Sequence, residues 1–160
     1  MAEHKVPKRV ARRTRAGTAA PTPVFSSLRV QLVGATKIGT VRDKVTQGGV
    51  SGATLRDLRQ RLGLTLADVS RVLGAGERTV IRKEQGKAAL SPTEADRAYR
   101  LARIADLAIE LIGDEQKAIA WLRVPSVYLG GETPVAMLDT EVGTDAVIES
   151  LYAIAYGGVA

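Results

Sequence analysis

The sequence predicts an all-α protein, because three stretches carry the apolar spacing and the end signals of helices. Leucines at positions 55, 58 and 62 follow the i, i+3, i+7 spacing of one buried helix face. Two shorter apolar stretches follow, separated by glycines, and then a longer one between Ser91 and Gly113 with strong start and stop signals. Apolar residues make up 45% of the 160 residues, which is enough for a hydrophobic core.

The first 27 residues are predicted to form a disordered basic arm. Six lysines and arginines crowd the stretch from Lys5 to Arg15, and a run rich in proline, threonine and alanine follows. Like charges repel, and little apolar surface is available for burial, so this arm has no reason to fold alone. It lacks the apolar segment of a secretory signal. Two interpretations stay open: a solvated tail, or an arm that lies on nucleic-acid phosphates and adds affinity without reading sequence.

Charge is distributed unevenly along the chain, whose net charge is +6. Residues 1–62 carry thirteen lysines and arginines against three acids, whereas residues 113–160 carry two basic residues against seven acids. The basic end suits a polyanion such as DNA, and the acidic end does not.

Residues 28–112 are predicted to contain a helix-turn-helix. Leu66, Val69 and Leu73 form the inner face of a short helix that begins after Thr65, and Gly74 permits a tight turn. A second helix, residues 77–85, buries Val80 and turns basic side chains outward. In a helix-turn-helix this second helix enters the major groove. The same spacing occurs in plain helical bundles, but the basic N-terminal half favours the DNA-binding interpretation.

The second helix carries residue types that recognise bases. The planar fork of arginine bonds guanine O6 and N7, and glutamine can bond adenine in the same way. Two residues oppose this interpretation: Gly76 stands where a serine or threonine cap is expected, and Glu77 would face phosphates unless it accepts a bond from cytosine N4. The predicted DNA-contacting residues are Arg71, Arg78, Thr79, Arg82, Lys83, Gln85 and Lys87.

A long helix is predicted next. Ser91 is its N-cap, Pro92 takes the first helical position, Glu94 completes a capping box and Gly113 ends the helix. Its apolar residues form two adjacent stripes, so more than one neighbour must cover it. We expect this helix to join two functional halves or to form part of a dimer interface.

After the long helix comes the stretch DEQKAIAWLRVPSVYLGGETPVAMLDTEVGTDAVIESLYAIAYG. Along nearly its whole length, it resembles the toxin-binding domain of Xre/MbcA/ParS-type antitoxins. Upstream, GERTVIRKEQGKAALSPTEADRAYRLARI resembles the Xre-like helix-turn-helix that is paired with that domain. Together the two resemblances cover roughly residues 40–160. The residues that carry the C-terminal one are Trp121, Leu122, Pro125, Leu129, Gly130, Gly131, Thr133, Pro134, Leu138, Asp139, Thr140, Gly143, Val147, Leu151 and Gly157.

Most of these residues, including Trp121 and Leu138, are expected to form the core or turns. Thr133 and Thr140 are expected to cap helices. Gly143 near the start of the last helix costs about 1 kcal/mol relative to alanine, which indicates a close backbone approach.

The resemblance implies an antitoxin whose C-terminal domain, residues 113–160, covers the active site of a RES-domain toxin that consumes NAD or uses it for ADP-ribosylation. It also implies repression of its own operon and a homodimer within a toxin–antitoxin complex. Ala153 and Ala155 depart from the family, where charged residues are frequent. The alternative is a plain repressor with an α-helical dimerisation domain and no toxin partner. The predicted toxin-binding residues are Leu129, Gly130, Gly131, Glu132, Tyr152, Ile154, Tyr156, Gly157, Gly158 and Ala160.

Catalysis has no support in the sequence. The single histidine, His4, lies in the basic arm, and the chain has no cysteine, so no cysteine–histidine pair or metal cluster can form. Glycine-rich stretches lack the Gly-Lys-Ser/Thr ending of a phosphate-binding loop. No apolar stretch approaches the roughly 20 residues that a membrane span needs. We therefore expect a cytoplasmic, non-enzymatic protein without cofactor, metal or membrane partner.

Overall fold

The computed structural model describes residues 50–157, which form helices and connecting turns without a strand. This finding confirms the predicted all-α class. The basic arm and residues 28–49 of the predicted helix-turn-helix domain lie outside the described residues. The α-helices are α1 (Gly52–Arg61), α2 (Leu66–Leu73), α3 (Glu77–Glu84), α4 (Pro92–Ile112), α5 (Glu115–Arg123) and α6 (Glu141–Ala155), and two 3-10 helices, η1 (Val127–Leu129) and η2 (Pro134–Asp139), lie between α5 and α6.

Local capping signals determine where α2 and α4 begin and end. Thr65 and Asp68 form a capping box at the start of α2, and Gly74 ends this helix with a φ of 66°. The start of α4 carries the predicted capping box of Ser91 and Glu94, and its C-cap, Gly113, has a φ of 77°. Positive φ values favour glycine, so both glycines serve as the predicted helix stops.

Three helix ends differ by one or two residues from the ranges that the sequence predicts, residues 54–62 for α1 and residues 77–85 for α3. Helix α1 begins at Gly52 because the Ser51 hydroxyl accepts a hydrogen bond of 3.1 Å from the backbone N–H of Thr54. Helix α3 ends at Glu84, and Gln85 is its C-cap. Apolar spacing shows which face of a helix is buried but gives little information about its last turn.

One hydrophobic core extends from the helix-turn-helix into the C-terminal region. Its fully buried members include Leu58 of α1, Val72 of α2, Leu101 of α4, Leu138 of η2 and Val147 of α6. The contact between α2 and η2 joins the two regions directly. Helix α4 is covered by α2, α5, α6 and η2, as its two apolar stripes predict. The helices before α4 and those after it are therefore packed around a shared core.

Gly143 lies where the backbone of η2 approaches α6 closely. A Cβ atom at this position would come within 2.0 Å of the carbonyl oxygen of Met137. The Thr140 hydroxyl caps α6 and accepts a hydrogen bond of 3.1 Å from the N–H of Gly143. The predicted close backbone approach and the predicted cap are both confirmed.

None of the helices between residues 50 and 157 combines the length and the apolar character that crossing a membrane requires.

Candidate functional site

Helix α3 presents a basic face to solvent. Arg78, Arg82 and Gln85 are exposed and follow i, i+4, i+7 spacing, so they share one side of the helix. Val80 is fully buried on the opposite side and anchors α3 in the core. The Ser70 hydroxyl donates to the carbonyl of Ala75 and stabilises the turn between α2 and α3. This arrangement is that of a helix-turn-helix with its second helix available to a DNA groove.

The C-terminal end of α3 is bound firmly to α1. Arg59 binds the Glu84 carboxylate through two hydrogen bonds, Nε to Oε1 at 2.7 Å and Nη2 to Oε2 at 2.9 Å. The bond to Glu84 raises the pKa of the Arg59 guanidinium despite its partial burial. Arg56 also donates to the backbone carbonyl of Glu84. Because α3 cannot shift freely on α1, its exposed face keeps a fixed direction.

Lys83 does not lie on the DNA-facing side, contrary to its place among the predicted contacts. It is 6% exposed, and its Nζ is 2.8 Å from Oε2 of Glu94 and donates to the carbonyl of Ala89. Partial burial acts to raise the pKa of Glu94, but hydrogen bonds from Lys83 and Ser91 outweigh it and lower this pKa. Lys83 therefore secures α3 to the start of α4 and is removed from the set of DNA-facing residues.

The remaining predicted DNA contacts are exposed on α2, on α3 and in the turn after α3. Thr79 lies in the first turn of α3, Lys87 lies in the turn that follows α3, and Arg71 lies in the last turn of α2; all three are exposed. Ile81 was missed by the sequence reasoning. It is 37% exposed and lies on the same side as Arg78 and Gln85, at i+3 and i−4 from them. An apolar side chain there suits the methyl group of thymine. The spacing of Ile81 from Arg78 and Gln85 is the sequence signal that identifies it.

A second surface is formed by the turn around η1. The N–H of Ser126 donates to the carbonyl of Glu132 at 3.0 Å, and the N–H of Gly131 donates to the carbonyl of Ser126 at 2.9 Å. Gly130 and Gly131 have φ values of 67° and 86°, so both positions favour glycine. Leu129 is 6% exposed and anchors the turn in the core, which removes it from the predicted contact surface. Of the four residues predicted here, Gly130, Gly131 and Glu132 face solvent.

The same turn exposes two large apolar side chains that the sequence reasoning missed. Val127 is 92% exposed and Tyr128 is 71% exposed. No signal in the sequence distinguishes them from Leu129, which directly follows them and is buried. Exposed apolar side chains on a hydrogen-bonded turn are typical of a protein-binding surface.

The end of α6 forms the third exposed group. The rings of Tyr152 and Tyr156 stack with centroids 5.9 Å apart and an interplanar angle of 14°. Tyr152, Ile154 and Tyr156 are 44%, 45% and 75% exposed. Gly157 follows with a φ of 61°. Two further predicted contacts, Gly158 and Ala160, lie outside the described residues.

Two contacts tie the helix-turn-helix to the residues that follow α4. Arg123 of α5 donates to the carbonyl of Gly63 at 3.0 Å, and Arg71 of α2 forms an ion pair with Glu132. Within residues 50–157, no three histidine, aspartate or glutamate side chains gather as a metal site would require. The exposed surfaces thus offer charge and apolar side chains for binding macromolecules.

The fold defines a helix-turn-helix protein whose C-terminal region exposes several large apolar side chains. Residues 41–103 match the family model of the antitoxin Xre-like helix-turn-helix domain. Residues 107–157 match that of the antitoxin Xre/MbcA/ParS C-terminal toxin-binding domain. The two matches meet within α4.

Relatives named antitoxin Xre are similar to this chain over most of its length. The protein from Yersinia enterocolitica is 28% identical over 120 residues, which cover 74% of this chain and 81% of the relative. The protein from Photorhabdus laumondii is 36% identical over 91 residues, covering 56% and 62%. The protein from Pseudomonas putida is 32% identical over 117 residues, covering 73% and 72%. The chain belongs to the Xre antitoxin family, which is a regulatory and non-enzymatic family.

Proposed function

We propose that this antitoxin neutralises a cognate RES-domain toxin by covering its active site, and that it represses its own operon through the helix-turn-helix. The observation that carries the proposal is that two exposed surfaces of the same folded unit present different kinds of side chain. Helix α3 presents arginines, whereas the turn around η1 and the end of α6 present tyrosines, a valine and an acid. Each surface suits a different partner. The match of residues 107–157 to a toxin-binding domain favours this proposal over the alternative, a plain repressor with no toxin partner.

The DNA-binding part of the proposal rests on α3. Arg78 and Arg82 are placed to bond guanine edges, and Gln85 is placed to bond adenine. Thr79, Lys87 and Arg71 are exposed in or beside the helix-turn-helix and are suited to phosphate contacts, which fix the position of the protein on DNA without reading bases. Repression follows if the bound site overlaps the promoter of the operon.

The toxin-binding part rests on the end of α6 and on the turn around η1. Tyr156 is the largest side chain at the end of the described chain and is 75% exposed, so it is available to fill a pocket on the toxin. Ile154, Tyr152 and Gly157 extend this contact. Glu132, with Gly130 and Gly131, forms a polar rim suited to a cationic edge of the toxin. Because NAD and the operon are both found in the cytoplasm, we place the protein there.

The test uses the protein encoded by the gene adjacent to the antitoxin gene, which the proposal predicts to contain a RES domain. NAD turnover by that purified protein is measured while the full-length antitoxin is titrated, and a promoter fragment is titrated separately in a mobility-shift assay. We expect NAD turnover to stop near a stoichiometric amount of antitoxin, and we expect a promoter complex that unrelated DNA does not displace. Unchanged NAD turnover at a large excess of antitoxin would contradict the toxin class, and equal affinity for promoter and unrelated DNA would contradict the repressor role.

A further inference from the structure

Arg97 of α4 binds the end of α2, directly before the turn that leads to α3. Its Nη1 donates a hydrogen bond of 2.9 Å to the backbone carbonyl of Leu73, the last residue of α2. The last carbonyls of an α-helix have no partner within the helix and form the negative end of its dipole, so a cation with N–H groups stabilises them. Half-buried Arg97 therefore holds the end of α2 against α4.

Gly74, which follows Leu73, leaves the space that the Arg97 guanidinium occupies. A Cβ atom on Gly74 would collide with Nη1 of Arg97. Two separate reasons thus favour glycine at this position: the positive φ of the helix stop, and the guanidinium beside it. Asparagine can adopt the positive φ, but its Cβ would still displace the guanidinium.

Helix α3 depends on α4 because its own start lacks a side-chain cap. Its N-cap is Gly76, and no side chain accepts a hydrogen bond from its first turn. Arg97 lies at i+3 from Glu94, so the two residues share one face of α4. Glu94 lies 2.8 Å from Lys83 near the end of α3, whereas Arg97 binds the chain before the start of α3. One face of α4 thus holds the chain on both sides of α3.

We propose that Arg97 is a positioning residue for DNA recognition, which fixes the direction of α3 relative to α2 without contacting DNA. The inference rests on the proposed reading of DNA by α3 and adds a residue that determines its specificity. An arginine fork must align with two atoms of one base edge, whereas a phosphate contact carries no sequence information. Loss of the Arg97 hydrogen bond should therefore weaken the binding of promoter DNA more than the binding of unrelated DNA.

The test measures the ratio of the affinities for promoter DNA and for unrelated DNA of equal length, by fluorescence anisotropy on the full-length chain. Arg97→Met keeps the length of the side chain but removes the donor, and we expect this ratio to fall about fivefold, as for one poorly aligned base contact. Arg97→Lys keeps a donor and should retain most of the ratio. Gly74→Asn displaces the guanidinium and should cause the same loss as Arg97→Met. The double variant G74N/R97M should lose no more than either single variant, because both changes act on one contact.

Arg123→Met is the matched control, because it removes an arginine that donates to the carbonyl of Gly63 after α1, and it should leave the ratio unchanged. Both affinities come from one preparation, so a fraction of unfolded chain cancels in the ratio.

Three results would overturn the positioning role of Arg97. The first is a wild-type ratio in both Arg97→Met and Gly74→Asn, and the second is an equal loss in Arg123→Met. The third is a weaker salt dependence of binding to unrelated DNA in Arg97→Met, which would show that Arg97 contacts a phosphate directly. A wild-type chain that binds both DNAs equally would instead contradict the proposed repressor function, and this inference with it.

Discussion

The guanidinium of Arg71 lies 3.5 Å from the carboxylate of Glu132, measured from Nη1 to Oε2. This ion pair joins the last turn of α2 to the turn around η1, where we propose that the toxin binds. The two side chains are 53% and 51% exposed, so the pair adds little to the stability of the fold. Its expected consequence is electrostatic, because Glu132 partly neutralises Arg71, a cation that we propose to contact DNA phosphates.

Glu132→Gln is therefore expected to strengthen DNA binding. Without the carboxylate, Arg71 is available to phosphates, and affinity should rise by up to about fivefold, which corresponds to an exposed pair of about 1 kcal/mol. Fluorescence anisotropy with promoter DNA at low salt measures the change. Glu149→Gln, on the exposed side of α6, removes the same charge elsewhere and is the matched control. Equal rises in DNA affinity for Glu132→Gln and Glu149→Gln would contradict the role of the ion pair. A rise that Glu132→Gln still causes in a chain that carries Arg71→Gln would contradict it as well.

Arg78→Ala and Arg82→Ala are each expected to weaken promoter binding by about 1–3 kcal/mol, because each removes a base-reading fork. Both residues are exposed, so the fold and toxin inhibition should survive. Mobility-shift titrations of promoter DNA measure the loss. Lys117→Ala, an exposed cation on α5, controls for the loss of one positive charge. Unchanged promoter affinity in both arginine variants would show that α3 does not read bases.

Tyr156→Ala is expected to weaken toxin binding by about 2 kcal/mol, as buried aromatic anchors of interfaces typically do. Deleting residues 156–160 should reduce inhibition further while promoter binding remains. Inhibition of the NAD turnover of the toxin and survival on co-expression measure these effects. Tyr128→Ala removes a ring of similar exposure from the turn around η1. If the truncated chain protects the cells fully and Tyr128→Ala does not, the inhibitory surface is the turn around η1 and not the end of α6.

Gly143→Ala is expected to destabilise the fold by about 2 kcal/mol, because the added methyl group meets a backbone carbonyl that cannot move away easily. This cost exceeds the gain of about 1 kcal/mol from the helix preference of alanine. Urea denaturation measures the difference. Gly76→Ser is the control: no atom lies within 4 Å of its added Cβ, and a hydroxyl N-cap should slightly stabilise α3. Equal stability of Gly143→Ala and the wild type would contradict the close approach.

Glu94 is expected to make stability depend on pH. Because its pKa is lower in the folded protein, the ionised carboxylate stabilises the fold above its ordinary pKa of about 4.3, and this contribution is lost as the pH falls through the folded pKa. Glu94→Gln should cost about 1.5 kcal/mol at pH 7, since it leaves Lys83 without its carboxylate. In urea denaturation, the difference from the wild type should shrink as the pH falls below 4. A difference for Glu94→Gln that stays constant across this pH range would contradict the assignment.

Local signals in the sequence predicted most of the helices. The ends of α4 followed from Ser91, Glu94 and Gly113, because a cap depends on residues within one turn. The close approach at Gly143 followed from the cost of glycine inside a helix. These features need no knowledge of distant parts of the chain.

The side-chain directions at the site depended on tertiary contacts and were harder to predict. Lys83 is basic and lies on α3, but Glu94, eleven residues away, draws it inward. The turn around η1 buries Leu129 and exposes Val127 and Tyr128, a choice that depends on how the turn packs against the core. Hydrophobicity alone cannot distinguish these three neighbouring residues.

The shared core of α2, η2 and α6 has a consequence for the lifetime of the protein in the cell. Because the two regions bury each other's apolar side chains, we expect them to unfold in one cooperative transition. A protease that degrades the unfolded chain then leaves no intact DNA-binding fragment behind. Release of the toxin and opening of the promoter would follow from the same event, so renewed synthesis of the antitoxin would begin as soon as its supply falls.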